Sequence, residues 1–262
     1  MVLKIFGERN TGVTVLKALI RQNSETVLAP EAGDFLENRT ALIQNTKAIA
    51  SAGLTEASAY DLQEKVEDGL YSGATGSASC AHRVTDFKTA DAFEGGVVFT
   101  VRNPASWAWS MFNTLQRRNA DLPPKFIDFL LTDWKTAARD GLGEVYLPPL
   151  ALYERKLASY MAFSKKLKAA GIAFKTLPFE MLVTNQRKGF RRVFPLLTNP
   201  SEKLTPVREA TRPIPESHAG PAQKYFQAYY ENEVWKDEMG AGYDFVRHQF
   251  SKELASHFKF EF

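Results

Sequence analysis

The sequence predicts an α/β domain built on a central parallel sheet flanked by helices. Three observations carry that expectation. The run Val97-Val98-Phe99-Thr100-Val101 is apolar without alternation, as a strand buried on both faces of a parallel sheet should be. Strand-like runs at Val2–Phe6 and Ile172–Leu177 are separated from it by helix-patterned segments, and strands alternating with helices pair in parallel. The first two strands each end at a turn or cap built from Gly, Asn or Pro and lead straight into a helix.

The elements follow in order. Val2–Phe6 reads as a short buried strand ending at Gly7, after which Val13, Leu16, Leu19 and Ile20 share one helical face. Residues 41–49 carry a weak helical pattern, Ala59–Leu70 a clearer one, and Tyr71–Ser79 reads as a loop. After the strand at 97–101, Asn103 is placed to cap a helix that starts at Pro104 and runs to about Leu115. Helices are predicted over Phe126–Ala138, over Leu150–Ala169 with a stop at Gly171, and from Phe179 onward. Residues 198–221, rich in Pro, Thr and Ser, read as a long surface loop. Ala222–Glu238 reads as a Tyr-rich helix, and the stretch ending in Phe258, Phe260 and Phe262 as packing against the body. No repeat or linker interrupts the chain, so residues 1–262 are expected to form one domain.

With 44% hydrophobic residues, 24% charged residues and a net charge of +3, the composition is that of an ordinary soluble protein. So small a positive balance argues against a general nucleic-acid binder, whose basic residues cluster on one face. It suits an anionic ligand. The single cysteine, Cys80, excludes an intrachain disulfide, fits a reducing compartment and reads as packing. No signal-like segment opens the chain and no apolar run approaches the ~20 residues of a membrane span. A cytoplasmic protein is expected; the oligomeric state is not legible.

The first strand–helix junction reads Gly7-Glu8-Arg9-Asn10-Thr11-Gly12-Val13-Thr14. Its glycine spacing and Thr14 match the phosphate loop Gly-x-x-x-x-Gly-Lys-Ser/Thr, but Val13 stands where that loop has its lysine. Without the lysine that serves the β- and γ-phosphates, a kinase or NTPase is disfavoured. The anion-binding device itself survives, because glycines let the backbone curl and helix-opening amides point at an anion. Arg9 adds a forked cation. An ordinary Gly-rich turn would show the same glycines.

At the second junction Arg102 ends the strand, where ligands of open α/β sheets sit, and Ser110 lies eight residues on in the helix. The first segment, Phe6-Gly-Glu-Arg-Asn-Thr-Gly-Val-Thr-Val-Leu, resembles the 5′-phosphosulfate loop of the sulfotransferase family. The second, Val101-Arg-Asn-Pro-Ala-Ser-Trp-Ala-Trp-Ser110, resembles its 3′-phosphate motif, in which an arginine and a serine eight residues later hold the same phosphate. Phe179-Glu180-Met181-Leu182 is similar to the family's aromatic-Glu-x-Leu segment. The motif order extends the likeness over roughly the first 180 residues; the C-terminal third carries no matching motif.

The resemblance implies a three-layer, P-loop-NTPase-like fold and a donor, 3′-phosphoadenosine 5′-phosphosulfate, whose product is adenosine 3′,5′-bisphosphate. Arg9, Asn10, Thr11, Gly12, Val13, Thr14, Arg102 and Ser110 would bind it, no metal would be needed, and the acceptor would be a carbohydrate or small molecule. Many members carry a lysine where Asn10 stands, which leaves Arg9 as the candidate cation for the leaving group. His82, twenty residues before Arg102, lies at a distance similar to that of a family histidine that acts as base, with Glu8 and Asp86 as rivals. His218, His248 and His257 are expected to take no part. Glu180 reads as a helix-start carboxylate, Trp107 and Trp109 as packing, and Arg187, Lys188, Arg191 and Arg192 as a solvated face or an anion contact. A P-loop nucleotide kinase and a non-catalytic nucleotide-binding relative remain the alternatives.

Overall fold

A computed structural model of the chain describes residues 2–31, 79–90, 93, 95–116, 123–136, 140–143, 145–207 and 222–262, with scattered positions between 40 and 69. Strand β1 (Val2–Gly7) runs into helix α1 (Val13–Asn23), and β2 (Val27–Leu28) follows. Strand β3 (Val97–Val101) leads into α2 (Pro104–Gln116) and then α3 (Phe126–Leu131). An antiparallel pair, β4 (Trp134–Lys135) and β5 (Tyr146–Leu147), precedes the long α4 (Pro149–Ala169). After β6 (Phe174–Pro178) come α5 (Phe179–Thr184) and α6 (Gln186–Val193). The last elements are α7 (Ala222–Glu231), α8 (Val234–Met239), α9 (Ala241–Gln249) and α10 (Lys252–Phe258).

The main sheet has the order β2-β1-β3-β6 and every pair in it is parallel. All five residues of β3 are buried, which is why its sequence shows no alternation. On one face Leu3, Ile5, Val98 and Leu177 pack with Val13, Leu16, Leu19 and Ile20 of α1 and with Phe190 and Val193 of α6. On the other, Phe6, Val97, Phe99 and Val101 meet Trp107 and Ala108 of α2, Tyr153, Leu157 and Phe163 of α4, and side chains of α8–α10. Each large apolar side chain so buried contributes roughly 1.5–3 kcal/mol. Helices therefore cover both faces of the expected parallel sheet.

Gly7 stands opposite Thr100 in the register of β1 and β3. The loop after β1 and the cap after β3 thus emerge side by side at the carboxyl edge of the sheet, where open α/β sheets place their ligands. The cap forms as its sequence implies: Asn103 Oδ1 accepts from the amides of Ala105 (2.9 Å) and Ser106 (3.3 Å).

Several elements differ from expectation. The helix expected over 126–138 stops at Leu131. Thr132 is extended, and Trp134 pairs in register with Leu147 while its ring meets Phe129 edge-on at 5.0 Å. A β-branched residue followed by an aromatic favours that pleated pairing over another helical turn. The helix expected over 222–238 breaks at Glu233, which has φ +52°, a conformation no helix continues through. The helix expected from Phe179 onward is interrupted at Asn185 between α5 and α6, and strands β2, β4 and β5 are additions that the sequence pattern does not announce. Residues 198–207 form a loop as expected, whereas 208–221, most of 41–70 and the 71–78 loop lie outside the described residues. The terminal aromatics pack as anticipated, Phe258 against Phe260 and both Phe260 and Phe262 against Phe250.

Candidate functional site

The loop after β1 turns through two left-handed residues, Asn10 (φ +62°) and Gly12 (φ +87°). Its shape is fixed from two directions. Thr11 Oγ1 donates to the Glu8 carbonyl (2.6 Å) and meets Thr100 Oγ1 (2.9 Å), so this hydroxyl is spent inside the protein. The carbonyls of Arg9 and Asn10 accept from Trp107 Nε1 and Arg102 Nη1, each at 2.9 Å. Asn10 Nδ2 donates to Thr114 Oγ1 at 3.3 Å. The amides of Gly12, Val13 and Thr14, which open α1, find no acceptor among the described residues. Such unclaimed amides are what an anion takes up at a helix start. The Thr14 side chain is exposed and that of Val13 is buried.

Arg102 and Ser110 both come to α2, but neither faces solvent: they are 2% and 1% exposed. Arg102 Nε donates to Ser106 Oγ (2.7 Å), Nη1 to the Asn10 carbonyl and Nη2 to the Tyr230 hydroxyl (2.7 Å). The guanidinium also lies 4.2 Å from the Phe179 ring centroid and 5.3 Å from that of Tyr230, within cation–π range. The two motifs read from the sequence are therefore partners of one another, since the second braces the first. Glu180 Oε1 accepts from the Asn103 amide at 3.1 Å, a structural role at the start of α2. Burial pushes the Glu180 carboxyl up, opposed by Arg102.

Beneath the loop lies a buried charge cluster that sequence reasoning missed. Lys156, fully buried on α4, pairs with Glu8 Oε2 and, at 2.6 Å, with Asp140 Oδ1. Arg9 Nη1 reaches Glu8 Oε1 (3.1 Å) and Asp140 Oδ1 (3.4 Å). Burial alone would raise the Glu8 and Asp140 carboxyls, but Lys156 and Arg9 outweigh it and hold both below their ordinary values. One signal pointed to Lys156: it interrupts the buried stripe Tyr153, Leu157, Tyr160 of α4 with a charge. Asp140 gave none.

His82 completes the group. Its Nδ1 lies 2.7 Å from the Gly7 carbonyl. A carbonyl only accepts, so Nδ1 carries the proton and Nε2 is the basic nitrogen. Burial, and next the Arg9 charge, lower the imidazole to about 4, so it is neutral at pH 7. The unfolded chain takes up that proton near pH 6.5, the folded one only near 4. Between those values the unfolded state binds more protons, so stability falls as pH drops through the window. Glu8 and Asp140 extend the loss below their ordinary values of 4.5 and 3.8. The melting temperature is expected to decline from pH 6.5 to 4, and less steeply in His82→Gln. Parallel declines in both proteins would remove His82 as the cause.

Of the other candidates, Asp86 is exposed and 4.0 Å from Arg83 Nε, and Glu8 is occupied by its ion pairs. Trp107 stacks on Tyr153 at 4.3 Å and Trp109 donates to Glu238, both packing roles. Arg187, Lys188, Arg191 and Arg192 lie on α6, with Arg192 Nε donating to the Thr176 carbonyl. No helix among the described residues is long and apolar enough to cross a membrane. No protein-family model, no curated protein and no solved structure matches the chain.

Proposed function

We propose that the chain is a cytoplasmic sulfotransferase of the P-loop-like fold, moving a sulfuryl group from 3′-phosphoadenosine 5′-phosphosulfate to a hydroxyl or amine of a carbohydrate or small-molecule acceptor. The observation that supports this most is a juxtaposition at the carboxyl ends of β1 and β3. A tight loop whose helix-opening amides lack a protein acceptor among the described residues lies against a neutral histidine bonded through Nδ1 to the loop's own Gly7.

The residues fit the phosphosulfate end of that donor: the amides of Gly12–Thr14 would hold its anionic oxygens, with Arg9, 20% exposed in its side chain, beside them. The 3′-phosphate end fits less directly. Arg102 already donates to Ser106, Asn10 and Tyr230, so a phosphate reaches it only if the Tyr230 hydroxyl gives way. When bound, the donor supplies an activated sulfuryl group on a phosphate leaving group. His82 Nε2 takes the acceptor's proton, since Gly7 fixes the other nitrogen as the donor. An anion against Arg9 offsets the repulsion that lowers the imidazole, and so strengthens the base where it is used. The loop amides and Arg9 stabilise charge on the leaving oxygen.

The test is transfer of label from the sulfate donor to a panel of carbohydrate and alcohol acceptors, in excess chelator. Transfer is expected to persist, because Val13 replaces the lysine of nucleotide kinases. Loss in chelator with recovery on magnesium would favour phosphoryl transfer instead. The inward commitment of Arg102 favours one second reading, a nucleotide-binding relative without turnover. Its mark is binding of adenosine 3′,5′-bisphosphate with no label transferred to any acceptor.

A further inference from the structure

The buried cluster beneath the loop has a task that packing does not explain. Two carboxylates, Glu8 (1% exposed) and Asp140 (1%), are placed directly under a site proposed to receive an anion. Taken alone they would repel it. Arg9 touches both, at 3.1 and 3.4 Å, but a single guanidinium cancels only one of the two charges. Lys156 touches both as well, from the opposite element, and cancels the other. Glu8 and Asp140 thus contribute two negative charges to the cluster, and Arg9 and Lys156 two positive ones.

We propose that Lys156 and Asp140 set the affinity of the Gly7–Thr14 loop for anionic ligands, Lys156 by cancelling a buried carboxylate that would otherwise repel them and Asp140 by holding that affinity down. They are positioning residues: Lys156 is fully buried and lies below the loop, so it acts on a ligand through charge and through the placement of Glu8 and Arg9. Asp140 also draws Arg9 Nη1 inward, sharing with Glu8 a cation that an anion would otherwise have more of. The inference rests on the anion-binding part of the proposed function and extends it to two residues on other elements. Charge changes in so buried a cluster are poorly screened, so their effect outlasts added salt, unlike that of a surface lysine.

The test is a charge series read by calorimetry with two probes, adenosine 3′,5′-bisphosphate and inorganic pyrophosphate, at low and high salt. Lys156→Met removes one positive charge and is expected to weaken both probes by about tenfold or more, the scale of one unscreened charge at loop distance. Asp140→Asn, nearly isosteric, removes one negative charge and is expected to tighten them by a similar factor. Lys156→Met/Asp140→Asn has the net charge of the wild type and is expected to bind close to it, although the ammonium and its bonds are gone. A merely structural lysine gives the opposite: the double variant stays as weak as Lys156→Met, or weaker. That result, or an Asp140→Asn protein with unchanged or weakened binding, overturns the proposal. If Lys156→Met does not fold, Asp140→Asn and the double variant decide. Pyrophosphate following the charge order while the nucleotide does not bind would sink the sulfotransferase reading and keep this one. Nucleotide binding that ignores the charge order would do the reverse.

Discussion

Gly7→Ala is expected to yield no stably folded protein. A Cβ at this position would lie 1.9 Å from Thr100 Oγ1, 2.6 Å from Thr11 Oγ1 and 2.9 Å from Val13 Cγ2. None of these is the loose end of a long side chain. Thr100 and Thr11 are fully buried and bonded to each other at 2.9 Å, and Thr11 also closes the loop on Glu8. The added methyl must part β1 from β3 or unseat the loop. Overpacking costs about 1–3 kcal/mol where neighbours can shift, and here they are pinned. At about 2–4 °C per kcal/mol for a chain of this size, any folded fraction should melt roughly 10 °C or more below the parent. Gly69→Ala is the control: among the described residues nothing lies within 4 Å of the place its new methyl would take, and its backbone is helical, so it should be neutral or slightly stabilising. Equal melting of Gly7→Ala and the parent would mean that β1 and β3 can part at Gly7 without cost.

The largest effect on activity is expected from His82→Ala: turnover falling by about 10²-fold or more, the scale of general-base catalysis, with binding of adenosine 3′,5′-bisphosphate retained. Binding should survive because the imidazole bonds to the Gly7 carbonyl, not to the α1 amides. Alanine removes both the basic nitrogen and that contact, so His82→Gln is the informative companion. It can keep a donor to Gly7 but has no basic nitrogen, and it should remain as slow as the alanine variant. Turnover near normal in either protein would pass the proton to a carboxylate. Glu8→Gln would then be measured next, although Glu8 is committed to Lys156 and Arg9.

Much of the frame was legible because its signals are local. An unalternating Val-Val-Phe-Thr-Val run announces a doubly buried strand, and Asn103-Pro104 announces a helix start; both are present. The Gly7–Thr14 loop was legible for the same reason. Its partners were not. Trp107 and Arg102 bind loop carbonyls from 98 and 92 residues away, and Asp140 meets Arg9 across 131. No spacing rule reaches so far. The sequence likewise shows Arg102 as a cation at a strand end, but not that it also donates to Asn10 and Tyr230. The two errors in helix length arose where a local tertiary contact, Trp134 on Phe129, or a single left-handed residue, Glu233, overrode a helical pattern.

The strand order has a consequence for how the chain is made. β1 precedes β3 and β6 in the chain yet sits inside the sheet, with its neighbour β3 about ninety residues later; β3 in turn pairs with β6, which ends at Pro178. No hairpin can form from these strands, since all their pairings are parallel, and the β1–β3 and β3–β6 pairings are distant. While the ribosome works through the segments before β3, Leu3, Ile5 and Phe6 have only the two residues of β2 beside them among the described strands. Synthesis at about 5–20 residues per second leaves that apolar edge waiting for several seconds or more. The segment around β1 is therefore expected to gain from holding chaperones until β3 and β6 are made, and conditions that slow elongation before Pro178 should cost yield more than those that slow it afterwards.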